Sequence, residues 1–367
     1  MVIKNYVQDK IDPRVIPLIF MLTIIEFKLF GMSEKVFLTA GRDSWLSALL
    51  GGTFITWATY FFLCLMKRFP EQNFLEYIAR IWGKPLALII SCGYLLFWGS
   101  FLTLLFNNTA EVNQMFFLEK TPVLLPVSLL AIGAVWLVSY GFSAIIRFMQ
   151  ITGPLFIIPL LIAIPLTLSE IEVGNFFPIL ANGIIPVLKG AVLYAGYFHG
   201  LEVLLFLSPF FTDPAKAFKP ALVGIIFLNL LAFIFTILAI GVLGINNTNQ
   251  MLWPGFAMLS IIEIPGFPAE RFELLLTVPL LTTAFIAISV TLYLLSYGFM
   301  QLFKISHKKT VIYLMALLTV FAKIFIPDFA WSIKIREIHL YAGIIFIYLL
   351  PLITLLLAGL RKKGEYS

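Results

Sequence analysis

Long apolar runs, each closed by a charge, a proline or a glycine, follow one another along almost the whole chain. Read as helices needing roughly 20 residues per crossing, they predict ten spans at 14–38, 45–66, 86–116, 122–139, 142–168, 184–210, 218–244, 272–303, 310–326 and 337–360. The predicted fold class is an all-α polytopic membrane protein, one integral membrane domain over 1–367. Ten is even, so both termini share a side. Two connections exceed a turn. Segment 68–85 reads as a short amphipathic helix lying in the interface and ending at Gly83. Segment 245–273 carries Pro254, Pro265 and Pro268, which break it into short pieces suited to a plug above a central site.

Spans 1 and 6 differ from the rest in being interrupted near their midpoints, by Glu26-Phe27-Lys28 to Gly31 and by Gly196-Tyr197-Phe198-His199-Gly200. They lie five spans apart. Because five is odd, two halves at about 14–168 and 184–360 would be inverted relative to each other. Transporters built that way bind substrate at paired broken helices near the membrane midplane.

Composition sharpens this reading. Of 367 residues 61% are hydrophobic and 12% charged, with a mean hydropathy of +1.00, whereas soluble domains are about 25% charged. No separate water-facing domain fits between the spans. The net charge of +6 comes from basic residues scattered singly between apolar runs, a pattern that excludes a nucleic-acid interface. Sixteen basic residues fall on the side of the termini and five on the other, so both termini are expected in the cytoplasm. Cys64 and Cys92 sit in apolar runs and read as buried thiols. The charged N-terminus runs into its first apolar stretch without a small-residue cleavage site, so no removable signal peptide is expected.

The scarce charges inside spans point to function. Glu26 and Lys28 at the middle of span 1 would each cost about 2.5–3.5 kcal/mol to bury alone. They are expected to face a ligand or water, or to form a structural pair with Lys189 or another span. Gly196 and Gly200 have the spacing of a close helix seam, yet the titratable His199 between them suits a ligand or proton role. Glu202, just beyond, could cap freed amides of the inner half-helix or, with Glu26 and His199, take part in proton coupling. Phe97, Trp98 and Phe101 on span 3 and Thr282 and Thr283 on span 8 could line a central cavity, or, for the aromatics, simply pack. Lys189 and Lys323 can snorkel to the interface. Hydrolase, zinc-protease, phosphate-loop and dithiol motifs are missing, and no spacing of His or Cys suits a metal. A non-enzymatic protein without a cofactor is expected.

Three stretches resemble the B subunits of spore germinant receptors, the GerAB family of the amino acid/polyamine/organocation superfamily. They are Ala40-Gly41-Arg42-Asp43-Ser44-Trp45-Leu46-Ser47, Gly200-Leu201-Glu202-Val203-Leu204-Leu205-Phe206-Leu207, and Trp253-Pro254 followed by Glu270-Arg271-Phe272-Glu273. The resemblance implies a leucine-transporter-like 5+5 inverted repeat with broken helices 1 and 6 in a spore's inner membrane, partnered by germinant receptor A and C subunits. It implies a nutrient pocket at Glu26, Phe27, Lys28, Gly31, Ala195, Gly196, His199 and Gly200, helped by Phe97, Phe101, Thr282 and Thr283. The chain departs from the family in the charged run of span 1 and at His199, where relatives more often carry an apolar residue. The implied function is sensing of a small amino acid or similar polar nutrient. The alternative is a proton-coupled amino-acid transporter of the same fold.

Overall fold

The computed structural model describes residues 10–25, 34–117, 120–122, 124–251, 253–259, 273–326 and 329–364. Span 1 is represented by α1 (Ile16–Ile24) and α2 (Glu34–Ala40), and span 2 by α3 (Ser44–Arg68). Next come α4 (Phe74–Trp82), α5 (Lys84–Val112), α6 (Leu124–Ser139) and α7 (Phe142–Leu168). Span 6 divides into α8 (Ile184–Gly196) and α9 (Leu204–Leu207). Then follow α10 (Phe218–Thr248), α11 (Pro254–Leu259), α12 (Glu273–Phe303) and α13 (Lys308–Ile324). Span 10 is α14 (Phe329–Gly343) joined to α15 (Leu350–Leu360) by a π-helical segment, Ile344–Leu349.

All ten predicted intervals carry helix. Among the described residues six helices are long and apolar enough to cross a membrane, and the pair α8/α9, bent by 50°, makes a seventh. The helices of spans 1, 4 and 9 are shorter. Helix α10 outruns its predicted end because it re-forms beyond a kink at Gly244, where φ is 68°, a backbone angle natural to glycine. The carbonyl of Gly241 just before the kink accepts bonds from Glu172 N (3.0 Å) and Asn175 Nδ2 (2.8 Å).

Segment 68–85 forms the predicted helix and ends it at Gly83. A reciprocal cap starts α4: Glu76 N donates to Asn73 Oδ1 (3.1 Å) and Asn73 N to Glu76 Oε2 (2.9 Å). The interfacial expectation changes, however. Phe74, Tyr77, Ile78 and Ile81, spaced to share one face, are all buried, and α4 packs on α5, α15 and α9. It caps the bundle with its apolar face turned to protein.

Helix α12 packs against α5, α6, α7, α13 and α1, while α3 packs against α8 and α10. Leu96, Ile132, Trp136, Ile151 and Leu317 are largely exposed on the outside of the bundle. Within it, hydroxyls such as those of Thr59, Thr109, Thr167 and Thr236 bond carbonyls four residues back. An apolar exterior with self-satisfied polar groups suits a helix bundle solvated by lipid. Longer-range polar bonds concentrate where α5 meets the antiparallel α14 and the π-helical segment that follows it, and that seam borders the break in span 6.

Candidate ligand site

Helix α8 stops because its last amides turn back on the preceding turn. Tyr197 N reaches Tyr194 O (3.2 Å), Phe198 N reaches Ala195 O (3.0 Å) and His199 N reaches Tyr197 O (2.9 Å). Gly200 then takes φ 99° in the left-handed region, where a side chain is strained. Its amide donates to Glu202 Oε2 at 2.8 Å. Glu202 is buried, and its carboxylate stands at the start of the inner half-helix. Helix α9 and its flanking turns restart the span from there.

Two tyrosines brace the break from outside span 6. Tyr348 OH donates to Ala195 O (2.8 Å), and Tyr94 OH donates to Phe346 O (2.6 Å) in the π segment of span 10. A π turn leaves carbonyls displaced from their usual donors, and Tyr94 fills one of them. Both phenols lie within electrostatic range of Glu202.

Beside the break four rings converge. His199 and His339 lie 4.4 Å apart between ring centroids, and both are buried. Phe97 and Phe101, one turn apart on α5, stack on His339 at 4.5 and 5.4 Å with interplanar angles of 11° and 4°. The same two rings meet His199 at 5.7 and 5.2 Å. Ser100 Oγ lies 3.1 Å from His339 Nδ1. The approach of α14 to the break requires Gly343: a Cβ there would sit 2.6 Å from both Gly196 O and His199 Cε1.

One turn beyond His339 the seam becomes charged. Arg336 pairs with Glu111, donates from Nε to Asn108 Oδ1 (3.0 Å) and lies over the Trp253 ring at 5.4 Å. Asn107 Nδ2 bonds Glu111 Oε1 (2.7 Å) and Ser332 Oγ (2.8 Å). A second pair joins Lys35 to Glu337. Trp253 and most of α11 are buried, which suits the expected plug, although 260–272 lie outside the described residues.

Of the residues singled out in sequence, the structure brings Ala195, Gly196, His199, Gly200 and Glu202 together with Phe97 and Phe101. Trp98 turns the other way, onto Phe206 at 4.4 Å. Thr282 and Thr283 bond their own helix, at Val278 O and Leu280 O, both 2.8 Å; no described contact joins them to the histidines. Glu26, Phe27, Lys28 and Gly31 lie outside the described residues. Sequence reasoning missed Ser100, Tyr94, Tyr348, Glu111, Arg336 and His339 as site residues. Glu111 carried a usable signal, an acid inside predicted span 3, although its place near the span's end makes it less costly there than Glu26 at mid-span.

A family model described as "Spore germination protein" matches residues 10–328. Among curated proteins, the chain is 29% identical over 334 residues to spore germination protein YndE of Bacillus subtilis, covering 89% of this chain and 90% of that one. Among solved structures it resembles MHP1, a nucleobase-cation-symport-1 family transporter in a closed conformation with bromovinylhydantoin bound. The TM-score is 0.66 at 16% identity, over 93% of this chain and 78% of that one. It also resembles MhsT in complex with L-phenylalanine, with a TM-score of 0.64 at 16% identity, over 93% and 89%. At such identities the likeness is one of fold: a leucine-transporter-like bundle in an integral membrane protein.

Proposed function

We propose, from the premise that the chain belongs to the spore germination protein family, that it is the nutrient-sensing subunit of a germinant receptor. It binds a small amino acid or similar polar nutrient near the membrane midplane and catalyses no reaction. The observation that carries this reading is the convergence of His199, His339, Phe97 and Phe101 on the break in span 6. Aromatic faces and imidazoles supply apolar surface with a few polar atoms, the usual lining of a small-molecule site. Span 1, with Glu26, Phe27, Lys28 and Gly31, closes the opposite wall in this proposal, and Thr282 and Thr283 lie toward its rim. The paired halves 14–168 and 184–360 form one domain with both termini cytoplasmic. It resides in the spore inner membrane with receptor A and C subunits.

Signalling requires the nutrient to bind one arrangement of the broken helices better than the other. A tenfold preference corresponds to about 1.4 kcal/mol, within reach of a single added hydrogen bond. The test is spore germination against an amino-acid panel with His199→Leu, alongside nutrient-induced thermal shifts of purified protein in detergent. The expected result is a shifted or lost nutrient response at normal protein level. Unchanged responses to every nutrient, with no thermal shift for the parent protein, overturn the proposal.

A second reading rests on Glu202, a carboxylate buried at the break of a transporter-like fold. In that reading the site carries a proton together with its amino acid. Proteoliposomes that accumulate radiolabelled amino acid under a proton gradient, and lose this with Glu202→Gln, would favour transport over pure sensing.

A further inference from the structure

Away from the break, α6 and α13 pack together but leave a groove of about 740 Å³ open on the outer surface of the bundle. Its floor is small, with Ala131, Val135 and Ala316, and its walls are Ile132, Trp136, Tyr140, Tyr313 and Leu317. At one end stand Ser139, Tyr140 and Lys309, and no acidic side chain lines it. Lys308 adds charge at the same end, its Nζ lying 3.7 Å from the position a Cβ would take on Gly141.

The length of the groove identifies what fills it. Along α6 the lining runs from Ser128 to Tyr140, and along α13 from Lys309 to Val320. At 1.5 Å per residue these stretches are ~18 and ~16 Å long, against ~15 Å for the hydrocarbon of one leaflet. Trp136 and Tyr140 meet edge to face at 5.2 Å near the lysine end, the kind of ring placement that marks a membrane–water interface. The groove therefore begins at headgroup level with a cation and continues as an apolar channel one leaflet deep.

We propose that this groove holds one anionic phospholipid, its phosphate on Lys309 with Lys308 nearby and one acyl chain lying between α6 and α13. Charge selects the headgroup, since each lysine near an anionic membrane surface adds about a fivefold preference, equivalent to ~1 kcal/mol. Shape selects the chain. Burial also holds the Lys308 amine below its ordinary value, a cost that a neighbouring phosphate would relieve.

The experiment is native mass spectrometry of the full chain in detergent, titrated with phosphatidylglycerol or with phosphatidylcholine of the same acyl chains. The parent protein is expected to retain one phosphatidylglycerol at least fivefold more tightly than phosphatidylcholine. Lys309→Gln should lower phosphatidylglycerol retention about fivefold and leave phosphatidylcholine unchanged. Ile132→Trp, at a position exposed enough to accept the larger ring, should weaken both lipids by obstructing the chain. Lys189→Gln, a lysine outside the groove, should change neither. Equal retention of the two lipids by the parent, or undiminished phosphatidylglycerol binding by Lys309→Gln, overturns the proposal. So does an equal loss with Lys189→Gln.

Discussion

Replacing Gly343 by alanine tests the packing of span 10 on the break more sharply than any change at the rings themselves. The added Cβ would lie 2.6 Å from Gly196 O and 2.6 Å from His199 Cε1, so relief to an ordinary contact requires a movement of nearly an ångström. Neither group is the free end of a flexible side chain. One is backbone at the end of α8; the other belongs to a ring held between Phe97, Phe101 and His339. Overpacking of this kind costs about 1–3 kcal/mol, and the upper half applies because both contacts are rigid. Alanine for glycine within a helix returns ~0.5–1 kcal/mol, leaving a net loss of roughly 1–2.5 kcal/mol. Gly99 is the control: it lies in α5, close in sequence to the same rings, and a Cβ there meets nothing within 4 Å. Gly99→Ala should therefore be neutral or stabilising by up to ~1 kcal/mol. Thermal unfolding in one detergent is expected to show Gly343→Ala melting below the parent and Gly99→Ala at or above it. If Gly343→Ala melts as high as the parent, span 10 does not press on the break as described.

Two further outcomes follow from charges outside the rings. Arg336 and Glu111 are each mostly covered, with side-chain exposures of 16% and 15%; Arg336→Gln leaves a buried carboxylate and should cost about 3–5 kcal/mol, while adding Glu111→Gln should recover much of it, a coupling that a double-mutant cycle in thermal unfolding measures. Burial pushes the Glu76 carboxyl above its ordinary value, against smaller opposing effects of the Asn73 amide and Arg80. The folded state then holds this proton more tightly than the unfolded chain, so the contribution is full below about pH 4.3 and is lost as pH rises through the raised folded value. Glu76→Gln keeps the cap and removes the titration. The stability of the variant relative to the parent should therefore grow from pH 4 to pH 7, and a constant difference across that range would refute the assignment.

Much of the architecture was legible as a one-dimensional pattern. The hydrocarbon of a bilayer offers no water to backbone or side chains, so each crossing must be a long apolar run with its backbone bonds satisfied internally, and such runs can be counted. The break in span 6 was legible for the same reason, since Gly196, His199 and Gly200 interrupt an otherwise uniform run. Amphipathicity marked α4 but not its partner, because an apolar face suits lipid and protein equally. Span 1 carried the strongest charge signal in Glu26 and Lys28, and these stay a sequence-based expectation.

What only the tertiary structure decided is which spans share the site. Ser100 and His339 are 239 positions apart, and nothing in either local stretch names the other. They meet because α5 and α14 run antiparallel in one register, which also aligns Asn107 with Ser332 and Tyr94 with the π turn at Phe346, while the long Arg336 side chain reaches along the seam to Glu111. Hydropathy records how a residue is solvated, and in a bilayer that determines the spans and their breaks. Which buried groups face one another depends on rotation and register between helices. Those are settled by contacts such as Gly343 against Gly196, whose energies belong to pairs of distant residues and leave no periodicity along the chain.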